Sequence, residues 1–141
     1  MSAPAPQSRI EIMRAFVPAS PLVQHLGIEL AALEPDRAEL RLPFAPSVVT
    51  LGDVVHAGAI ASLIDTAGMA STWAVDEPAP NLDGSTITLS VEYLEAARGQ
   101  DLVAVSRCIR RGRSICFNDV TVTESAAGRV VARGSVVQRL G

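Results

Sequence analysis

The sequence predicts an α+β fold in which an antiparallel β-sheet wraps around one long central helix. Three observations predict it. The stretch from Ala57 to about Val75 has helical period and is small or apolar on nearly every face, so it belongs inside a sheet rather than on a surface. Four segments with the two-residue period of strands follow it. The connections between these segments are short, which implies antiparallel pairing.

The elements read in order as follows. Residues 1–7 form a flexible tail, and 8–141 a single domain. From Ser8 to His25 the residues Ile10, Ile12, Met13, Phe16, Val17, Leu22 and Val23 suggest a capping helix interrupted near Pro18 and Pro21. Gly27–Leu33 and Ala38–Leu42 read as a hairpin around the turn Glu34-Pro35-Asp36-Arg37, ended by Pro43 and Pro46. In the central helix Ile60, Leu63, Ile64, Ala67, Ser71 and Ala74 recur at steps of three and four, until Asp76-Glu77-Pro78 stops it. Thr86–Tyr93 alternates strictly, with Ile87, Leu89, Val91 and Tyr93 on one face and Thr86, Thr88, Ser90 and Glu92 on the other. The last strands run over about 102–110, 114–123 and 129–138, joined by glycine-bearing turns at Arg111-Gly112-Arg113 and Ala126-Ala127-Gly128.

Composition narrows the function classes. The chain has 141 residues, 48% of them hydrophobic, enough for a substantial core. Its formal net charge of −3 gives no electrostatic footprint for nucleic acid. No apolar run is long enough to span a bilayer, because Asp65 and Asp76 punctuate the longest. The first residues lack a charged region followed by an apolar one, so no secretory signal and a cytoplasmic location are expected. Cys108 and Cys116 flank the Arg110–Arg113 turn, where a disulfide is conceivable and reduced thiols are the favoured reading. With only His25 and His56 and no Cys or His cluster, no metal site is expected.

The residue that most needs a reason is Asp65, a carboxylate inside an apolar helix. An unpaired charge there costs several kcal/mol, so it is either hydrogen-bonded or used chemically. The motif Val55-His56-Ala57-Gly58 stands at the head of the same helix, with His56 nine positions before Asp65. The first N–H groups of a helix are unpaired and lie at the positive end of its dipole, which suits an oxyanion.

Together with His25-Leu26-Gly27-Ile28, Val91-Glu92-Tyr93-Leu94 and Arg110-Arg111-Gly112-Arg113-Ser114, this motif resembles the acyl-CoA thioesterases of the hotdog superfamily, in their PaaI-like (phenylacetate-pathway) branch. The resemblance covers nearly the whole domain. It implies the hotdog fold, hydrolysis of a CoA thioester, Asp65 as general base or nucleophile, and the Ala57 N–H as donor to the thioester carbonyl, with Gly58 beside it. It makes His56 a structural residue that orients the turn and Thr86 a hydroxyl that orients water or substrate; a polar residue on a wet strand face is an equal reading of Thr86. The arginines Arg110, Arg111 and Arg113 resemble a basic hairpin near the CoA phosphates, and solubility is an equal reading of them. No cofactor beyond the CoA moiety is implied.

Spacing adds one inference. Eight residues of helix separate Ala57 from Asp65, a rise of about 12 Å, too far for both to act on one carbonyl. If they cooperate, they come from different subunits, which predicts an obligate homodimer with two shared sites; the resembling proteins are dimers or pairs of dimers, so a homotetramer is also open. The chain departs from the family pattern where Ala57 replaces a glycine and Thr50 stands in place of an asparagine or glutamine. These departures motivate a rival reading, a non-catalytic module that binds an acyl-CoA or acyl carrier. A hydratase or dehydratase that pairs a histidine with the helix carboxylate is a third.

Overall fold

The computed structural model describes residues 6–141, so the tail expected over 1–7 lies outside the described residues except for Pro6 and Gln7. The chain starts with helix α1 (Arg9–Ala19), opened by a capping box in which Ser8 Oγ accepts from the Glu11 N–H and the Glu11 carboxylate accepts from the Ser8 N–H. Pro18 is tolerated in its last turn, and the break expected there falls at Ser20, where the backbone becomes extended. Pro21 then opens α2 (Pro21–Leu26), which Gly27 ends with a left-handed φ of 76°. The hairpin follows as β1 (Glu29–Glu34) and β2 (Arg37–Leu42). Its first strand starts two residues later than expected, because Gly27 serves as the helix cap.

Between the hairpin and the central helix the sequence pattern assigns nothing, yet the backbone is ordered. A single 3₁₀ turn (Pro46–Val48) leads into β3 (Val49–Leu51) and β4 (Val54–Val55), a two-stranded ribbon of its own. Segments this short carry no detectable period. Their role is placement: the Val55 N–H donates to Ala97 O at 2.9 Å and the His56 N–H to Val48 O at 2.8 Å, which fixes where the next helix begins.

That helix, α3 (Ala57–Thr72), is the long central one. It ends three residues before the expected Val75 because Arg111 reaches its last turn. The guanidinium donates to Thr72 O at 2.8 Å and Ser71 O at 3.2 Å, satisfying carbonyls that a continuing helix would use. The remaining strands are β5 (Gly84–Tyr93), β6 (Leu102–Arg111), β7 (Ile115–Glu124) and β8 (Val130–Leu140). They join the hairpin in one antiparallel six-stranded sheet of order β1-β2-β6-β7-β8-β5, which curls around α3. This is the hotdog arrangement that the sequence predicts. Among the described residues, no helix is long and apolar enough to cross a membrane.

The core lies between α3 and the inward face of the sheet. Leu63, Ile64, Ala67 and Ala70 are fully buried against Leu40, Leu102, Val122 and Val136. Small residues set the depth of this packing. A Cβ on Gly68 would lie 2.5 Å from Val136 Cβ, and one on Gly134 would lie 2.8 Å from Ile64 Cγ2, so α3 and β8 touch backbone to side chain at both points. Toward the C-terminal end of α3 the contact turns polar. Ser71 Oγ lies 2.7 Å from both Ser106 Oγ and Asn118 Oδ1, while Asn118 Nδ2 donates to Thr72 Oγ1 at 2.8 Å and Val136 O at 3.1 Å. Each member of this buried network has a partner, so it fixes the rotation of the helix without an unsatisfied polar group.

Gly68→Ala overpacks the tightest of these contacts. It is expected to destabilise the fold by about 1–3 kcal/mol despite alanine's better helix propensity, as read by denaturant unfolding.

Candidate active site

The head of α3 is built by its cap. His56 has extended backbone (φ −61°, ψ 134°), and its Nδ1 accepts from the Gly58 N–H at 2.7 Å. An Nδ1 that accepts leaves the ring proton on Nε2. His56 O accepts from the Ala59 N–H at 3.0 Å and the Ile60 N–H at 3.2 Å. Among the described residues, the one N–H of this first turn left without an acceptor is that of Ala57, at an exposed position. The three residues expected here therefore divide. His56 is the cap, as the resemblance implies. Gly58 does not offer its N–H to a ligand, because that group is already bonded. It is glycine because a Cβ there would lie 2.9 Å from the His56 ring.

The sequence pattern misses Tyr93, which it places merely on an apolar strand face. Its hydroxyl donates to Ala57 O at 2.7 Å and ties the end of β5 to the first turn of α3. Burial pushes the phenol's pKa up, so it remains a donor through the neutral range. The available signal is that a tyrosine on an inward face needs a partner for its hydroxyl.

Asp65, halfway along α3, is half-buried rather than sealed in the core. It is also paired, since Thr86 Oγ1 donates to Asp65 Oδ1 at 2.7 Å and receives in turn from Gln138 Nε2 at 2.5 Å. This contact corrects the face expected for Thr86. Thr86 pairs with Gln138 and Thr88 with Val137, so Ile87 is an extra residue opposite β8. That β-bulge puts Thr86 on the inward side with Leu89, Val91 and Tyr93, where strict alternation places it opposite them. A bulge leaves no mark on an alternating sequence.

Asp65, Thr86 and Gln138 form the polar end of a pocket of about 260 Å³. Its apolar wall comes from Ile12, Met13 and Phe16 of α1, Met69 and Trp73 at the end of α3, and Leu82. The helix read from sequence only as a cap thus supplies one side of the cavity. Trp73, Met69 and Gln138 carry no local signal that separates them from core residues.

The other expected site residues lie apart. Arg111 is committed elsewhere: besides the α3 carbonyls, it donates to Asp36 Oδ1 at 2.9 and 3.0 Å. It is a structural clasp, not a free phosphate ligand. Arg110 and Arg113 are exposed. Thr50 is exposed on β3, with no side-chain hydrogen bond among the described residues. Cys108 and Cys116 are free thiols opposite Asn118 and Arg111 respectively, and burial pushes the Cys108 pKa up to about 11.

A family model for the thioesterase superfamily matches residues 52–130. Acyl-coenzyme A thioesterase 13 of Homo sapiens is 24% identical over 137 residues, 96% of each chain. A Halobacterium salinarum protein with the word esterase in its name is 32% identical, over 82% of this chain and 78% of its own. The crystal structure of a thioesterase family protein from Silicibacter pomeroyi superposes with a TM-score of 0.86 at 20% identity, covering 95% of this chain and 100% of that one.

If His56 is a cap, what matters is an acceptor at its position. His56→Ala is expected to lose about 1 kcal/mol in denaturant unfolding, while His56→Asn, which restores a capping oxygen, stays near the native value.

Proposed function

The chain belongs to the thioesterase superfamily, and from that premise we propose that it hydrolyses an acyl-CoA thioester to a free acid and coenzyme A, as a PaaI-like member of the family. The observation that carries this reading is a carboxylate held by a hydroxyl donor at the polar end of an otherwise apolar pocket. The acyl group occupies the apolar part and its carbonyl stops at Asp65. Asp65 removes a proton from water, the water oxygen attacks the carbonyl carbon, and the oxyanion is met by an unpaired backbone N–H. The carbon–sulfur bond then breaks, and the proton held by Asp65 passes to the leaving thiolate. The products are one acid and one thiol, and the carboxylate is restored.

The Ala57 N–H is the unpaired donor available for this role, but it lies about 12 Å along the same helix from Asp65. Two copies of the chain solve the distance, each giving its helix head to the other's carboxylate. The exposure of β5 supports such pairing. It is an outermost strand of the sheet, and nine of its ten residues are exposed in the single chain, Leu89 and Tyr93 among them. An open edge of this kind is normally covered. For the CoA phosphates, Arg110 and Arg113 remain available where Arg111 does not. The apolar wall of the pocket suits an acyl or aryl group of modest size.

One feature favours a second reading. Thr50 is exposed and its side chain makes no hydrogen bond among the described residues, so the support for the carbonyl or water that the family pattern implies at this position is missing, as in a protein that binds thioesters without cleaving them. A hydratase using His56 as its base is disfavoured because Nδ1 accepts from the Gly58 N–H, which leaves the ring proton on Nε2 and no free lone pair there.

Free-thiol release across short, medium, long and aryl acyl-CoAs decides between them. Asp65→Asn is expected to reduce turnover by at least about 100-fold with the fold intact; saturable binding without release by the native protein establishes the binding module instead. The shared site has its own test. Ala57→Pro removes the one N–H at a position where helices accept proline, and the extended backbone of His56 suits a following proline. Heterodimers of Asp65→Asn with Ala57→Pro are expected to regain about half the native activity per dimer, since one of two shared sites is then complete. Inactive heterodimers point to sites within single chains.

A further inference from the structure

Gln138 is the residue that neither the motif nor the proposed chemistry accounts for. It sits on the inward face of β8 between Val136 and Leu140, only 3% exposed, where an apolar side chain would pack without losing hydration. Across β7 its neighbour is Cys116, which offers no strong competing acceptor. Its amide nitrogen instead donates to Thr86 Oγ1.

The proton count of this chain of contacts is fixed by chemistry. A threonine hydroxyl carries one proton, and a carboxylate only accepts. With Thr86 Oγ1 2.7 Å from Asp65 Oδ1, that proton points at Asp65. The hydroxyl oxygen can then only receive from its other side, so Gln138 has to present its NH₂ and not its carbonyl. The hydroxyl rotor, otherwise free among three staggered wells, is held in one.

We infer that Gln138 is a positioning residue for hydrolysis, acting through Thr86: it locks the hydroxyl proton onto Asp65 Oδ1 and so leaves Oδ2 as the oxygen that meets water. The inference rests on the hydrolytic reading of Asp65. Among the described residues Oδ2 receives no protein donor, whereas Oδ1 does. A carboxylate held by one oxygen keeps its plane and direction, which is what a near-attack geometry requires.

The test is a double-mutant cycle on free-thiol release, using whichever acyl-CoA the native protein turns over fastest. Gln138→Met conserves volume and removes the donor. It is expected to lower kcat about tenfold with KM little changed, while stability in denaturant unfolding is kept or raised. In a Thr86→Val background the same substitution is expected to cost nothing further, because the rotor it acts on is gone. Gln138→Leu repeats the cycle should the methionine variant fail to fold. Native kcat in the Gln138 variants overturns the inference, and so do losses that multiply in the double variant; either result makes Gln138 a satisfied core amide. The parent reading fails separately, by full turnover in Asp65→Asn.

Discussion

The contact on which the rest of the structure depends is the approach of α3 to β8 through Gly68 and Gly134. At both glycines a single added carbon would enter the van der Waals shell of the opposite element. That proximity sets the spacing of helix and sheet, and the buried Ser71–Ser106–Asn118–Thr72 network can close only at that spacing. Asp65 and Gln138, on the same two elements, are then near enough to share Thr86 as an intermediary. A wider gap would leave room for larger side chains but would part the groups at the polar end of the pocket.

Both ends of α3 are tied as firmly as its middle. His56 closes one end from within the chain's own turn, and Arg111 closes the other from a strand, bracing Asp36 and two helix carbonyls at once. A helix fixed at three places moves as a unit, so the offset between Ala57 and Asp65 is a property of the fold and not of a particular conformation. On one chain, therefore, the Ala57 N–H and the Asp65 carboxylate stay about 12 Å apart along the helix.

Much of this is legible in the sequence where it obeys a period. Residues Ile60 to Ala74 announce a helix buried on all sides, and the alternation over Thr86–Tyr93 with the three turn-bounded segments after it announces the strands. Features that break a period are the ones that stay hidden. The bulge at Ile87 reverses the face of Thr86, and the short β3 and β4 strands that deliver His56 are too brief to repeat anything. The arginines illustrate a different limit. Arg110, Arg111 and Arg113 are equivalent as a written motif, and only the position of Asp36 and of the helix end separates the clasp from its exposed neighbours.

The substitution at Ala57 becomes intelligible once the cap is considered. Glycine at this point of the motif has two uses, room for the imidazole and an available N–H, and in this chain they fall on different residues. Gly58 provides the room, because its missing Cβ is where the His56 ring lies, and in doing so it gives up its own N–H. Ala57 keeps its N–H and meets no such crowding, since it stands exposed at the first helical position. A methyl group there leaves the donor untouched and is felt only by whatever approaches the helix head from outside. The pattern His-Ala-Gly therefore leaves the unpaired N–H of the helix head on Ala57, among the described residues, while Gly58 gives its own to the cap.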